Sequence, residues 1–459
     1  MTRIIPLRAS VLCLTAWLGL SPALWAAVPD YFEIAAPKRA EQTPDTTNYA
    51  LILHDLKSLA ESGDAQAQFD VGSLHAQGLG TLQNDTEAVR WLRRAAAQEH
   101  VNAMFYLGDL ISAGRGAPQN DALARDWWMA AAKQGHAQAQ YNIGVGYARG
   151  VAVAQDYAKA MEWYVLAGEQ GLTSAQYNLG LMYLRGLGTE PNFPEAYKWM
   201  LLAAKNGGRM SQNLLGNLYY DGIGVAQDYA EAARWWRLSA DQGSPGAQTS
   251  LGDSYLMGRG VDHSYDEAVK WFTLAADQGH AKAQFSLGLA HQLGFGLPSD
   301  EATAADWYKL AANQGMGRAQ QQLGLLYTRH ASPLYDAAEG VKWYQMAAEE
   351  GAVQAQMALG KIYGQGDGVP RDIEASAQWF TRAAGAGNAR AQSNLAIMYV
   401  DGLGVAQDYS EAYFWATLAT KGGETFPELY WQQMRDNLSK RKRRKAEKKA
   451  EKWLAQYRP

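Results

Sequence analysis

Eight histidines, one cysteine and a recurring Gly-x-Gly are the residues with which this 459-residue chain could do chemistry. Imidazoles become metal ligands or proton carriers when two or three converge. Here His100, His136 and His280 share one interval, each standing just after a Gln-Gly or similar turn, and His75 and His291 occupy a position otherwise held by tyrosine. That spacing is inherited from a repeat rather than set by a metal, so no metal and no cofactor are expected. Loops such as Gly222-Ile223-Gly224 and Gly402-Leu403-Gly404 could cradle a phosphate, yet no Lys-Ser/Thr follows them and no alternating strand pattern precedes them. The single cysteine, Cys13, lies in an N-terminal apolar run, which leaves the rest of the chain without a thiol and excludes disulfides, cysteine metal sites and thiol catalysis there. No catalytic constellation emerges, and the chain is expected not to be an enzyme.

The elements that would position any site follow one rule. A tryptophan recurs every thirty-six residues at Trp91, Trp127, Trp163, Trp199, Trp235, Trp271, Trp307, Trp343, Trp379 and Trp415. Nineteen residues before each stands a glycine, from Gly72 to Gly360, with Ala396 in the tenth copy. A tandem period of this length predicts a solenoid, in which neighbouring units bury a face that none could bury alone. Each unit reads as two helices. The first carries A-x-A-Q-x-x-L-G-x-x-Y, as in Ala137-Gln138-Ala139-Gln140 through Gly144 to Tyr147, with apolar residues four apart. It stops at the Gly-x-Gly. The second opens on Asp or Asn, often with Glu three on (Asp228/Glu231, Asp408/Glu411), the signature of a capping box. The tryptophans are expected to be the main energetic spine, and the glycines to mark close helix approach.

This unit closely resembles the Sel-one-like repeat (SLR), a relative of the tetratricopeptide repeat, over ten copies from Ala65 to Glu424. The resemblance implies an all-α chain: an α/α superhelical solenoid of ten 36-residue helix-turn-helix repeats, with an N-terminal half-repeat at 48–64 and capping helices at 425–459. It also implies a protein–protein adaptor or scaffold outside the bacterial cytoplasm, with its partner on a concave groove lined by first helices; the alternatives are an envelope scaffold of a polysaccharide-export or motility complex, a host-interaction factor, and a cell-wall enzyme. Frame comparison with the related repeats picks out a row of aromatics, Phe69, Phe105, Tyr141 and Tyr177, beside Asn142 and Asn178. A charged stripe of Arg149, Arg185 and Asp221 runs alongside. Core packing is the alternative reading of the aromatics. Some relatives outside the cytoplasm are linked to β-lactam chemistry, but those are cysteine-rich and this chain is not.

Export is also expected from the start of the chain. Arg3 and Arg8 precede the apolar run Ala9–Leu20, and a cleavage region follows, so residues 1–26 read as a signal peptide and 27–47 as a linker. The bacterial periplasm is the expected location, with secretion or the cell surface as the alternative. Formal net charge is −4, yet Lys440–Lys452 holds nine basic residues and two glutamates, so the body is acidic and the tail basic. Leu438, Lys442, Ala446, Ala450, Trp453 and Tyr457 fall on one side at helical spacing, and Lys440, Arg441, Arg443, Arg444, Lys448 and Lys452 form a basic patch on the other sides. It reads either as the solvated face of a cap or as a contact for an anionic membrane, polysaccharide or acidic partner. An envelope or host protein is the expected partner; nucleic acid is not. In repeat eight, Thr328–Pro333 replaces both loop glycines, either as drift or as a contact loop that changes local curvature.

Overall fold

The computed structural model describes residues 46–457, so the signal-peptide and linker readings fall outside the described residues except at the linker's last two positions. Twenty-three helices are present and, among the described residues, no strand. The chain divides into two compact units after Asp262.

The first unit begins with α1 (Thr46–Glu61). There follow the pairs α2 (Ala65–Gln77) and α3 (Asp85–Ala96), α4 (Val101–Ser112) and α5 (Asp121–Lys133), α6 (Ala137–Arg149) and α7 (Tyr157–Glu169), α8 (Thr173–Arg185) and α9 (Phe193–Lys205), α10 (Arg209–Asp221) and α11 (Tyr229–Asp241), then α12 (Pro245–Met257). The second unit holds α13 (Tyr265–Asp277), then α14 (Ala281–Leu293) and α15 (Glu301–Asn313), α16 (Gly317–Thr328) and α17 (Ala337–Glu349), α18 (Val353–Gln365) and α19 (Ile373–Gly385), α20 (Ala389–Asp401) and α21 (Tyr409–Lys421). It closes with α22 (Glu428–Asn437) and α23 (Lys440–Tyr457). Even-numbered helices up to α20 are the first of each repeat, and odd-numbered ones from α3 to α21 the second. Within each unit, up to α21, a helix packs on the one before and the one after it, as in a solenoid, while α22 and α23 both pack on α21.

Local sequence sets the helix ends. All ten second helices start on an Asn, Asp or Ser whose side chain accepts a backbone N–H two or three residues on, each such cap being worth about 1 kcal/mol. Eight of the ten first helices end on a left-handed glycine such as Gly222, φ 70°. The second loop glycine does different work: a Cβ on Gly224 would lie 2.2 Å from the Phe193 carbonyl oxygen, so the loop backbone rests on the second helix of the preceding repeat. Repeat eight keeps that contact by other means. Ser332 stands where the glycine would be, and its Oγ donates to Glu301 Oε2 at 2.8 Å while Arg329 pairs with the same carboxylate. On the other side His330 Nε2 meets Asp367 Oδ1 at 2.9 Å. The aberrant loop is stapled to both neighbours.

The helix-internal glycines sit in notches, but the tryptophan does not fill them. The residue after it does. A Cβ on Gly72, Gly108, Gly144, Gly180, Gly216, Gly288, Gly324 or Gly360 would come within 2.4–2.9 Å of Leu92, Trp128, Tyr164, Met200, Trp236, Tyr308, Tyr344 or Phe380. The tenth repeat accounts for its own exception: Ala396 shares a core cluster with Ala416, where the large side chain has gone as well. The tryptophans themselves divide. Trp91, Trp199, Trp235, Trp271 and Trp343 are buried, while Trp127, Trp163, Trp307, Trp379 and Trp415 are half-buried, so the expected spine is shared with the residue that follows.

The glutamine of A-x-A-Q is buried and joins repeats. In nine copies its Nε2 donates to a carbonyl eight residues earlier, at the end of the preceding second helix. In several copies a turn residue thirty positions on then donates to its Oε1: Gln98 to Gln68, Gln170 to Gln140, Asn206 to Gln176, Gln242 to Gln212 and Gln314 to Gln284, at 2.7–3.1 Å. A buried amide is thus satisfied at both ends, which removes the penalty that burying it would otherwise carry.

At the C-terminus α23 covers α21. Ala446 and Ala450 close over Phe414 and Leu418, with Trp453 and Leu454 at the margin. Lys442, expected on the apolar side, is exposed, and Arg443 turns partly inward in its place with a buried Nε. Leu438, Ala446 and Ala450 are buried as expected, so only Lys442 departs: the alanines are small enough to let α23 approach, and the ammonium stays in water.

Candidate functional site

The surface to consider is the arc of each first helix away from its notch glycine. At 100° per residue, the positions three and two before that glycine and one, four and five after it fall within about 120° of one another. Shared residues on this arc are drawn into the stack. Phe105 stacks on His136 at 4.3 Å and Phe69 on His100 at 4.9 Å. The imidazoles are themselves helix caps, since Nδ1 of each accepts a backbone N–H from Ala139 or Ala103. Tyr141, only 2 % exposed, tilts over Tyr164 at 5.6 Å. Tyr177 is buried, which pushes its phenol up to about 12. Asn142 and Asn178 are buried as well: Asn142 Nδ2 donates to Asp109 at 3.4 Å, and Asn178 lies against the Tyr164 hydroxyl. The aromatic row therefore sits inside the repeat cores and supports the arc from beneath.

What the arc presents to solvent is mainly the position five after the glycine, where repeats differ. Arg149 is exposed and Arg185 and Asp221 are half-exposed, each the last residue of its helix. An arginine there complements the negative helix end; Asp221 opposes it. In the first unit Tyr106 and Met257 are exposed on the same arc, and in the second Leu293 and Leu325. The arrangement can supply aromatic, thioether and guanidinium contacts. It brings no nucleophile next to a base, and among the described residues no group of three or more His, Cys, Asp or Glu could hold a metal.

One ionisable group on the arc was not singled out from sequence. Asp109 follows notch glycine Gly108, and burial raises its carboxyl from 3.8 to about 7, partly countered by the Trp128 indole N–H that it accepts at 2.9 Å. In repeat five Trp236 makes the same bond to Asn217 at 2.9 Å. Asp109 thus occupies a structural position where an amide also serves. The available signal was an acid followed nineteen residues later by Trp rather than Phe, Tyr or Met. A second missed feature is a row on the second helices. Leu166, Leu202 and Leu238 in the first unit, and Leu274, Leu310 and Met346 in the second, are all 40–48 % exposed at the strict thirty-six-residue interval.

The family model of the Sel1 repeat matches ten consecutive stretches, 65–100, 101–136, 137–172, 173–208, 209–244, 245–280, 281–316, 317–351, 353–388 and 389–424. The chain is a Sel1-repeat protein. The match to repeat eight stops one residue short, in the copy whose loop has lost both glycines. Among solved structures, a protective antigen present in uropathogenic Escherichia coli strains and displaying an SLR fold is similar to this Sel1-repeat protein at 33% identity and a TM-score of 0.63, over 88% of this chain and 95% of that one. A Sel1 repeat protein from Oxalobacter formigenes is similar at 28% identity and a TM-score of 0.47, over 53% of this chain and 96% of that one. No curated protein matches the sequence. Sel1-repeat solenoids are typical protein–protein interaction scaffolds, and the all-α architecture here is of that kind.

Proposed function

We propose that this Sel1-repeat protein is an exported, non-enzymatic scaffold that holds a protein partner against the first-helix arc. The observation that carries the reading is the division of labour on that arc. Residues on the inner side of the arc are consumed by stacking, and Tyr106, Arg149, Arg185, Asp221 and Met257 in the first unit, at positions that differ between repeats, retain exposure. Shared positions build the array, so selectivity has to come from the others. Aromatic, Met and Arg side chains are the types enriched in protein interfaces. An envelope protein in the bacterial periplasm is the partner this reading favours, in keeping with the Arg3/Arg8 leader.

Crosslinking the chain in its native envelope, followed by capture and mass spectrometry, tests this. A variant carrying Tyr106→Ala, Arg149→Glu and Met257→Gln should lose the captured partner while its thermal melt is unchanged. Capture at the parental level by that variant would remove the arc as the binding surface. A host-facing role is the second reading, favoured by the similarity to a protective antigen. Fractionation separates the two: a periplasmic pool supports the envelope scaffold, and a surface or medium pool the host-facing factor.

A further inference from the structure

We propose that α23 is a docking ridge for an anionic lipid bilayer. Placing α23 on a helical wheel at 100° per residue, the side chains that meet the body, Ala446, Ala450, Trp453 and Leu454, span one side. Arg441, Arg444, Lys445, Lys448 and Lys452 fall in an arc of about 100° centred opposite them. All five are exposed, and none has a carboxylate partner among the ion pairs of the described residues. The two acids of the helix are engaged elsewhere: Glu447 accepts the Tyr413 hydroxyl at 3.0 Å, and Glu451 faces Lys421 at 3.8 Å. Lys449, which lies just outside the arc, pairs with Glu411 and covers Phe414. The result is five uncompensated positive charges along about 17 Å of helix, eleven residues at 1.5 Å each.

The shape of this feature selects its occupant. A ridge that stands away from the body has no walls, so it does not enclose a discrete ligand. Its arc offers no aromatic ring and no amide with which to stack on or read a sugar or a base; Trp453 is turned to the body. A flat field of anionic headgroups is a target that all five cations can meet together. Ordinary amphipathic membrane helices insert an apolar face, but here that face is already spent on Phe414 and Leu418. Attachment is therefore by charge alone, reversible and weakened by salt. The acidic balance of the remaining chain disfavours contact of the repeats with the same anionic surface.

Vesicle flotation of the full chain tests the assignment. The chain should float with phosphatidylcholine vesicles containing about one-third phosphatidylglycerol, stay behind with pure phosphatidylcholine, and detach as salt is raised toward about 0.5 M. Lys445→Gln, Lys448→Gln and Lys452→Gln together should weaken binding on the order of a hundredfold, at about fivefold per charge. Those three side chains point away from the core, so Trp fluorescence should show the cap intact. Lys449→Gln should bind like the parent. Equal flotation with neutral vesicles, or full binding by the triple variant, overturns the proposal. Capture on a soluble polyanion (dextran sulfate or a DNA duplex) with no flotation overturns it too. None of these variants touches the first-helix arc, so this result and the partner-capture result are independent.

Discussion

Gly360 and Phe380 offer the sharpest test of the notch, because the ring there carries no polar atom. Phe380 is 6 % exposed, and Phe380→Ala should cost about 3–5 kcal/mol. Gly360→Ala alone sets a methyl 2.7 Å from Cδ1 and Cε1 of that ring, well inside ordinary carbon contact of ~3.5 Å. Overpacking of this kind costs about 1–3 kcal/mol, against about 1 kcal/mol gained by replacing a helical glycine. The single variant should therefore lose up to about 2 kcal/mol. In the Phe380→Ala background the same methyl meets no ring and keeps the helix gain, so it should stabilise by about 1 kcal/mol. The change of sign is the signature, and Ala396 with Ala416 is the pairing that already exists in the chain. A long repeat array need not unfold in two states, so amide hydrogen exchange across α18 and α19 is the readout, with urea titration beside it. If Gly360→Ala has the same effect in both backgrounds within about 0.5 kcal/mol, the ring is not what excludes a side chain.

Three further outcomes follow. Ala152 holds φ 58° in the loop slot where other repeats have the second glycine, so Ala152→Gly should raise stability by about 0.5–1 kcal/mol in a denaturant titration. Asp109 has its folded carboxyl raised to about 7 from 3.8, so the folded state holds the proton more tightly. The contribution of Asp109 to stability is full below about pH 4 and falls as pH rises to about 7. Asp109→Asn should flatten that slope in melts taken across the window, gaining on the parent at pH 8 by no more than about 4 kcal/mol. Trp235→Ala should cost about 3–5 kcal/mol, and Trp127→Ala clearly less because Trp127 is half-buried; equal losses would contradict the division between the tryptophans.

The repeat frame, helix pairing, caps and loop stops were legible in the sequence because each rests on short-range rules. Asp228 caps α11 and Gly222 ends α10 whatever surrounds them. What a side chain faces across the stack was less legible. Tyr141 and Asn142 lie on the expected arc, yet the next helices close over them, and a spacing argument does not carry that depth. The partner of each notch glycine was hidden by its own variety: Leu92, Trp128, Met200 and Phe380 are all bulky and largely apolar but differ in identity. Asp109 escaped notice for the same reason, since an acid in two of ten copies, Asp109 and Asp253, breaks no pattern.

The glutamine ladder has a consequence for how the array comes apart. Its second rung needs an amide donor thirty residues on, and in repeats eight and nine that position holds Glu350 and Ala386. Gln320 Oε1 and Gln356 Oε1 are accordingly buried without a donor, each at a cost of about 1–3 kcal/mol. In a stack held by nearest-neighbour terms, two weak links in succession mark where cooperativity breaks. Under force or denaturant the chain should part there first, and the last repeat with its cap should unzip as a block of its own.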